Sequence, residues 1–247
     1  MKLVVPYIDE LRDVDARMAR LAEFLGIPCE TIALTNVAGS AEFLEKSVPE
    51  PCTCFVVNPR VMKEWVGVDG IPADLIAFLL SRFTHLVVYG LRINAFDSEL
   101  VAALSQGRLK SVEAIDPESS AYAIASDSKE VCEAFAGLSF GPANSANDHV
   151  FSVSDSDPAV RQLISICSRP FMAAVRTEEA EILFVGSEDV ADLNTEVGRA
   201  PLAEYFSRLV PQAMRCDTWR AMSAGGHRMA TLQSSSTIRF CGRATGS

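Results

Sequence analysis

Few residues in this chain are placed to do chemistry. Asp9 and Glu10, Asn58, Gly90, Arg92 and Asn94 each fall where an apolar, strand-like run ends. In open α/β sheets, ligands bind in the crevice outside the carboxyl ends of the strands, so Asp9, Asn58, Gly90, Arg92 and Asn94 are the candidate ligand-binding residues. The planar guanidinium of Arg92 suits a carboxylate or phosphate; the competing arrangement is a surface pair with Asp97 or Glu99. A general base needs a proton within reach, and the side chain most often used is histidine. Of three histidines, His85 opens an apolar run and His227 lies in a patternless tail. That leaves His149, beside Asp148 in a polar loop, as the candidate catalytic pair; the competing role for His149 is to cap loop backbone. Glu188-Asp189, Asp192 and Glu196 form an acidic group. It reads as a solvated loop rather than a cation site, and no metal is expected.

The seven cysteines are odd in number and scattered, so a disulfide framework is not expected and the thiols read as buried and reduced. Cys52-Thr53-Cys54 has no second pair or nearby histidine to complete a metal site. No Gly-x-Gly-x-x-Gly or Walker sequence follows any strand-like run, so no cofactor is expected. The net charge of −10 argues against nucleic acid, which is bound by basic surface. No run approaches a membrane span, and the opening apolar run is too short for a signal peptide. The cytoplasm is the expected compartment.

The elements that must position these residues are read from periodicity. Leu3 to Ile8, Glu30 to Leu34, Cys54 to Pro59, His85 to Gly90 and Leu109 to Ile115 read as strands, the third ended by Asn58-Pro59. Helices are predicted after Asp13 (Val14, Met18, Leu21, Ala22 and Leu25 on one face), over Ala41 to Lys46, Pro72 to Phe83 and Phe96 to Leu104. Strands alternating with helices predict a mainly parallel sheet covered on both faces. Short strands at Ala121 to Ala125 and Val150 to Ser154 flank a helix at Lys129 to Phe135 and a polar loop at Gly141 to Asp148. Pro170 to Arg176 and Glu181 to Val185 form a late antiparallel hairpin across residues 177–180, and Pro201 to Val210 is a closing helix. One α/β domain over residues 1–222 is expected.

This order resembles the class I glutamine-amidotransferase-like fold, a flavodoxin-like three-layer sandwich, notably in the hairpin Arg169–Val175 and Ile182–Ser187 followed by Leu202-Ala203-Glu204-Tyr205-Phe206. The resemblance implies a nucleophilic cysteine on a strained strand-to-helix turn. The matching stretch, Tyr89-Gly90-Leu91-Arg92-Ile93-Asn94, holds neither cysteine nor serine. Amidotransferase activity is therefore not expected.

Residues 223–247 hold three arginines, no acid and no hydrophobic period, whereas the first 222 residues carry −13. They read as a disordered tail, and also as an out-of-frame one. Taking the third base of each codon with the first two of the next, from Thr231 onward, permits Ala-Ser-Ile-Ile-Ile-Asp-Asp-Pro. Further on, Phe240-Cys241 forces a leucine whichever synonymous codons are used. A β-branched run ending in paired aspartates resembles the opening strand of polysaccharide-deacetylase-like domains, where the resemblance implies one base and one metal ligand. Ile71-Pro72-Ala73-Asp74-Leu75 and Gly137–Asn144 are similar to the N-terminal region of uncharacterised bacterial proteins of that kind. The expectation is a non-catalytic binding or regulatory α/β module that normally precedes a carbohydrate deacetylase-like domain, with a small polar or carbohydrate ligand. Two rivals are a small-molecule hydrolase or transferase using Asp9, Arg92 and His149, and a structural or oligomerisation domain with a large apolar face.

Overall fold

A computed structural model describes residues 2–24, 26–34, 41–48, 54–67, 70–115, 122–124, 148–153, 157–166, 168–188 and 205–206. In chain order the described elements are β1 (Leu3–Tyr7), α1 (Asp13–Phe24), β2 (Cys29–Ala33), α2 (Ala41–Ser47), β3 (Cys54–Val57), α3 (Pro59–Val66), α4 (Ala73–Arg82), β4 (His85–Val88), α5 (Ala95–Leu104) and β5 (Leu109–Ala114). They continue with β6 (Tyr122–Ile124), β7 (His149–Val153), β8 (Val160–Ile166), β9 (Arg169–Arg176) and β10 (Glu181–Val185).

The main sheet has the order β2-β1-β3-β4-β10-β9-β8-β6. β2, β1, β3, β4 and β10 run parallel, and β9, β8 and β6 extend the sheet antiparallel. The parallel strands are apolar on both sides because both sheet faces are covered. On one face Leu3, Val5, Cys54, Val56, Val87, Leu183 and Val185 pack with Met18, Leu21 and Ala22 of α1 and with Tyr205 and Phe206. On the other, Val4, Phe55, Val57, Leu86, Val88, Ile182 and Phe184 pack with Leu44 of α2, Val61, Met62 and Trp65 of α3, Leu75 and Leu79 of α4, and Leu100, Val101 and Leu104 of α5. The result is the expected three-layer α/β sandwich, with a mainly parallel sheet and a late antiparallel hairpin.

Three sequence expectations need correction. First, the fifth strand is not in the main sheet. β5 pairs antiparallel with β7 in a separate two-stranded sheet, and the place beside β4 belongs to β10. A central strand must bury both faces. Ile182, Leu183, Phe184 and Val185 are all 0% exposed, whereas β5 buries only Leu109 and Val112, with Lys110 and Ser111 between them and Glu113 after them. Second, Asn58-Pro59 does not simply end a strand. Asn58 is the N-cap of α3, its Oδ1 accepting from the Arg60 N–H at 3.0 Å, and Pro59 occupies the first turn. Proline fits there because that turn has no intrahelical acceptor to lose. Third, β8 carries no flag in the sequence reading, because Arg161 and Gln162 interrupt its apolar run. The helix expected at Lys129 to Phe135, the loop at residues 141–147 and the tail at residues 223–247 lie outside the described residues, as does all but Tyr205 and Phe206 of the closing helix.

Candidate functional site

The order β2-β1-β3-β4 reverses direction between β1 and β3. Such a reversal splays the loops at the carboxyl ends of the two strands and opens a crevice. A cleft of about 360 Å³ lies there, lined by Arg12, Val14, Asn58, Pro59, Arg60, Lys63, Gly90, Arg92, Asn94, Asp97 and Glu188. These come from the loops after β1, β3, β4 and β10 and from the starts of the helices that follow the first three, with Lys63 one turn further along α3.

A buried polar core supports the cleft. Asp15, in the first turn of α1, is 2% exposed. Its Oδ1 accepts from Asn58 Nδ2 at 2.7 Å and its Oδ2 from Arg60 at 2.7 Å. Burial pushes the Asp15 carboxyl above the usual range, and the Arg60 charge and the Asn58 bond pull against that rise. Arg60 is held from the other side by Glu64 at 3.2 Å. Gly90 lies over the Asn58 amide: with φ +81° it needs the left-handed region, and a Cβ there would stand 3.1 Å from Asn58 Nδ2.

The far wall is the start of α5. Asn94 caps the helix by accepting from the Asp97 N–H at 2.9 Å, and Asp97 reaches back to accept from the Arg92 N–H at 2.5 Å. Burial raises the Asp97 carboxyl, against the Arg92 and Asn94 bonds. The Arg92 guanidinium pairs with Glu188 at 2.6 Å, so its side-chain partner is neither Asp97 nor Glu99. Glu188 is no solvated loop acid; it is 7% exposed, and its carbonyl accepts from the Tyr89 hydroxyl at 2.6 Å. Lys63 lies 5.4 Å from the centre of the Phe96 ring, an arrangement that attracts a cation to the ring face.

Of the five candidate ligand-binding residues, Asn58, Gly90, Arg92 and Asn94 line the cleft. Asp9 lies on the same loop as Arg12, exposed and with φ +58°, and is outside the lining. His149 is 1% exposed and also outside it. It opens β7, donates its N–H to Gly186 O at 2.9 Å, and its ring meets Phe151 edge-on. Asp148 is 8% exposed. The turn after β4, Tyr89 to Asn94, holds neither cysteine nor serine. Among the described residues no three His, Cys, Asp or Glu side chains are grouped to hold a metal ion, and no helix is long and apolar enough to cross a membrane. Sequence reasoning missed Arg12, Asp15, Arg60 and Lys63. The available signal was the cap geometry, since Asn58-Pro59 as a helix start puts Arg60 in the first turn and Lys63 three residues on, along the same face.

Neither thiol described is poised for chemistry. Cys54 is buried, and the half-buried Cys29 is pushed up to about 11, first by burial and then by Glu23 and Glu30. At pH 8 its thiolate is about a hundredfold scarcer than that of an ordinary cysteine. Iodoacetamide labelling at pH 8, read peptide by peptide, is expected to be slower at Cys29 in the native protein than after urea unfolding by about that factor. Equal rates would contradict the burial.

Fold and cleft together define an α/β fold of open-sheet type with a crevice at its topological switch point. No protein-family model and no curated protein matches the chain in sequence. Among solved structures it is similar to the cytoplasmic protein STM1381 of Salmonella typhimurium LT2, with a TM-score of 0.49 and 10% identity over 76% of this chain and 89% of that one. It is similar also to the Salmonella typhimurium cytoplasmic protein STM3548, with 0.48 and 10% over 83% and 98%. A third is Agd3, a carbohydrate deacetylase, with 0.45 and 10% over 75% of this chain and 29% of that one. None of the three lends a residue role to this chain.

Proposed function

We propose that this domain is a binding or regulatory module without a catalytic centre of its own, and that its ligand is a small polar molecule held in the cleft at the carboxyl ends of β1, β3, β4 and β10. The observation that carries this reading is the cleft itself. Four cationic side chains and two helix caps converge on it, while the strand-to-helix turn that would hold a nucleophile carries neither cysteine nor serine. In its parent protein the module stands before a carbohydrate deacetylase-like domain; the support is the strand ending in paired aspartates that the second reading frame permits from residue 231. DNA sequencing across that region tests this part. An open frame encoding the paired aspartates sustains it, and an early stop in that frame overturns it.

Binding is tested by thermal unfolding against a panel of neutral sugars, N-acetylated sugars, sugar acids and sugar phosphates. At least one class is expected to raise the melting temperature saturably, as any ligand that prefers the native state must. Gly90→Val, which fills the space over Asn58, is expected to abolish that rise. The same compounds are expected to be recovered chemically unchanged. Turnover lost on mutating a single residue would overturn the non-catalytic reading.

A further inference from the structure

Resting on that reading, we propose that the ligand is a small organic oxyanion, a phosphate monoester or a carboxylate, gripped by Arg92 and Lys63 in the cleft that Arg12 and Arg60 also line. The chain as a whole carries −10, yet the lining of this cleft holds four cations against two acids. Charge so distributed against the sign of the whole molecule concentrates positive potential in one concave place.

Both acids in the lining are already engaged. Asp97 is turned to the Arg92 N–H and Glu188 to the Arg92 guanidinium. Arg60 is likewise committed, to Asp15 beneath and Glu64 beside it. Arg92 and Lys63 are the adaptable pair. The Arg92 side chain is 48% exposed, with Nη2 2.6 Å from Glu188 Oε1, and a guanidinium carries five donors, enough to hold a second oxyanion as well. Lys63 is exposed, its ammonium 5.4 Å from the centre of the Phe96 ring, and its charge also acts on Asp97.

Two further observations point the same way. α1, α3 and α5 all begin in the lining, so the positive ends of three helices face one volume. The exposed large apolar side chains among the described residues are Leu11 and Ile93, at 40% and 53%. Each is the chain neighbour of a cationic lining residue, Arg12 or Arg92. Apolar surface on the same loops as the anion grip suits an organic anion better than a bare inorganic one.

The test measures melting temperature against inorganic phosphate and, separately, acetate, each at ionic strength matched with sodium chloride. Wild type, Arg92→Ala, Lys63→Ala and Arg176→Ala are compared. Arg176 is an exposed arginine at the other end of the sheet, where β9 pairs with the start of β10. Wild type and R176A are expected to show a saturable rise with at least one of the two anions, and which anion gives it identifies the class. R92A and K63A are each expected to weaken the apparent affinity about tenfold; K63A keeps the test valid even if R92A is poorly folded. No saturable rise beyond chloride with either anion overturns the proposal, and so does an equal rise in all four proteins. If neutral sugars still stabilise the wild type but not Gly90→Val, only the oxyanion falls; if nothing binds, the binding reading falls with it.

Discussion

Gly186→Ala is expected to cost at least about 3 kcal/mol of stability, the range of severe overpacking. Gly186 follows β10 where three segments meet. Its N–H donates to Phe171 O at 2.8 Å, and its carbonyl accepts from the His149 N–H at 2.9 Å. A Cβ there would lie 2.3 Å from His149 O and 2.5 Å from Phe171 O. Both are backbone oxygens locked in strand pairing, so neither can step aside without breaking the junction of β7, β9 and β10. The junction also sets the path of Ser187 and Glu188 into the cleft. Urea denaturation measures the effect. Gly70→Ala is the control, since a Cβ there meets nothing within 4 Å, and it is expected to change stability by less than about 0.5 kcal/mol. A wild-type midpoint for G186A would refute this packing.

Asn58→Leu is expected to cost about 3 kcal/mol. About 1 kcal/mol comes from the lost N-cap of α3, and a further 1–3 kcal/mol from leaving a buried acceptor of Asp15 without its donor. The loss has a pH signature. The folded Asp15 carboxyl lies above its usual range, so its contribution to stability is full below the unfolded value and is lost as pH rises through the folded one. Asn58 works to lower the folded value; removing it raises that value further and enlarges the loss at neutral pH. The stability gap between wild type and variant is therefore expected to narrow as pH falls from 7 towards 4. Asp15→Asn, which cannot ionise, is expected to remove this group's share of the pH dependence. A gap independent of pH would show that Asp15 is not charged in this network.

Much of the fold was legible because periodicity is a local property. Four strands of the main sheet (β1, β2, β3, β4) and four helices (α1, α2, α4, α5) announce themselves by apolar spacing and by the residues that start and stop them. The hairpin of β9 and β10 is visible as two apolar runs around a polar turn. What periodicity cannot express is adjacency. β5 and β10 both read as strands, and only the need to bury both faces sends β10 to the centre and leaves β5, with its charged positions, in the small sheet. α3 is hidden for a narrower reason: proline reads as a terminator in a strand pattern, but after an asparagine cap it starts a helix.

The candidate site divides along the same line. Strand ends are visible in sequence, and a parallel sheet puts them on one edge, so Asn58, Gly90, Arg92 and Asn94 were within reach. The chain by itself determined an acidic α/β pattern whose turn from Tyr89 to Asn94 holds neither cysteine nor serine. Only the tertiary structure decided which side chains share the cleft. Asp15 meets Asn58 across 43 residues and Arg60 across 45, because β1 and β3 are neighbours at the point where the sheet order reverses. Glu188 reaches Arg92 only because β10 lies beside β4. Those pairings follow from long-range burial of whole strands, a property of the assembled sheet that no local window of the sequence contains.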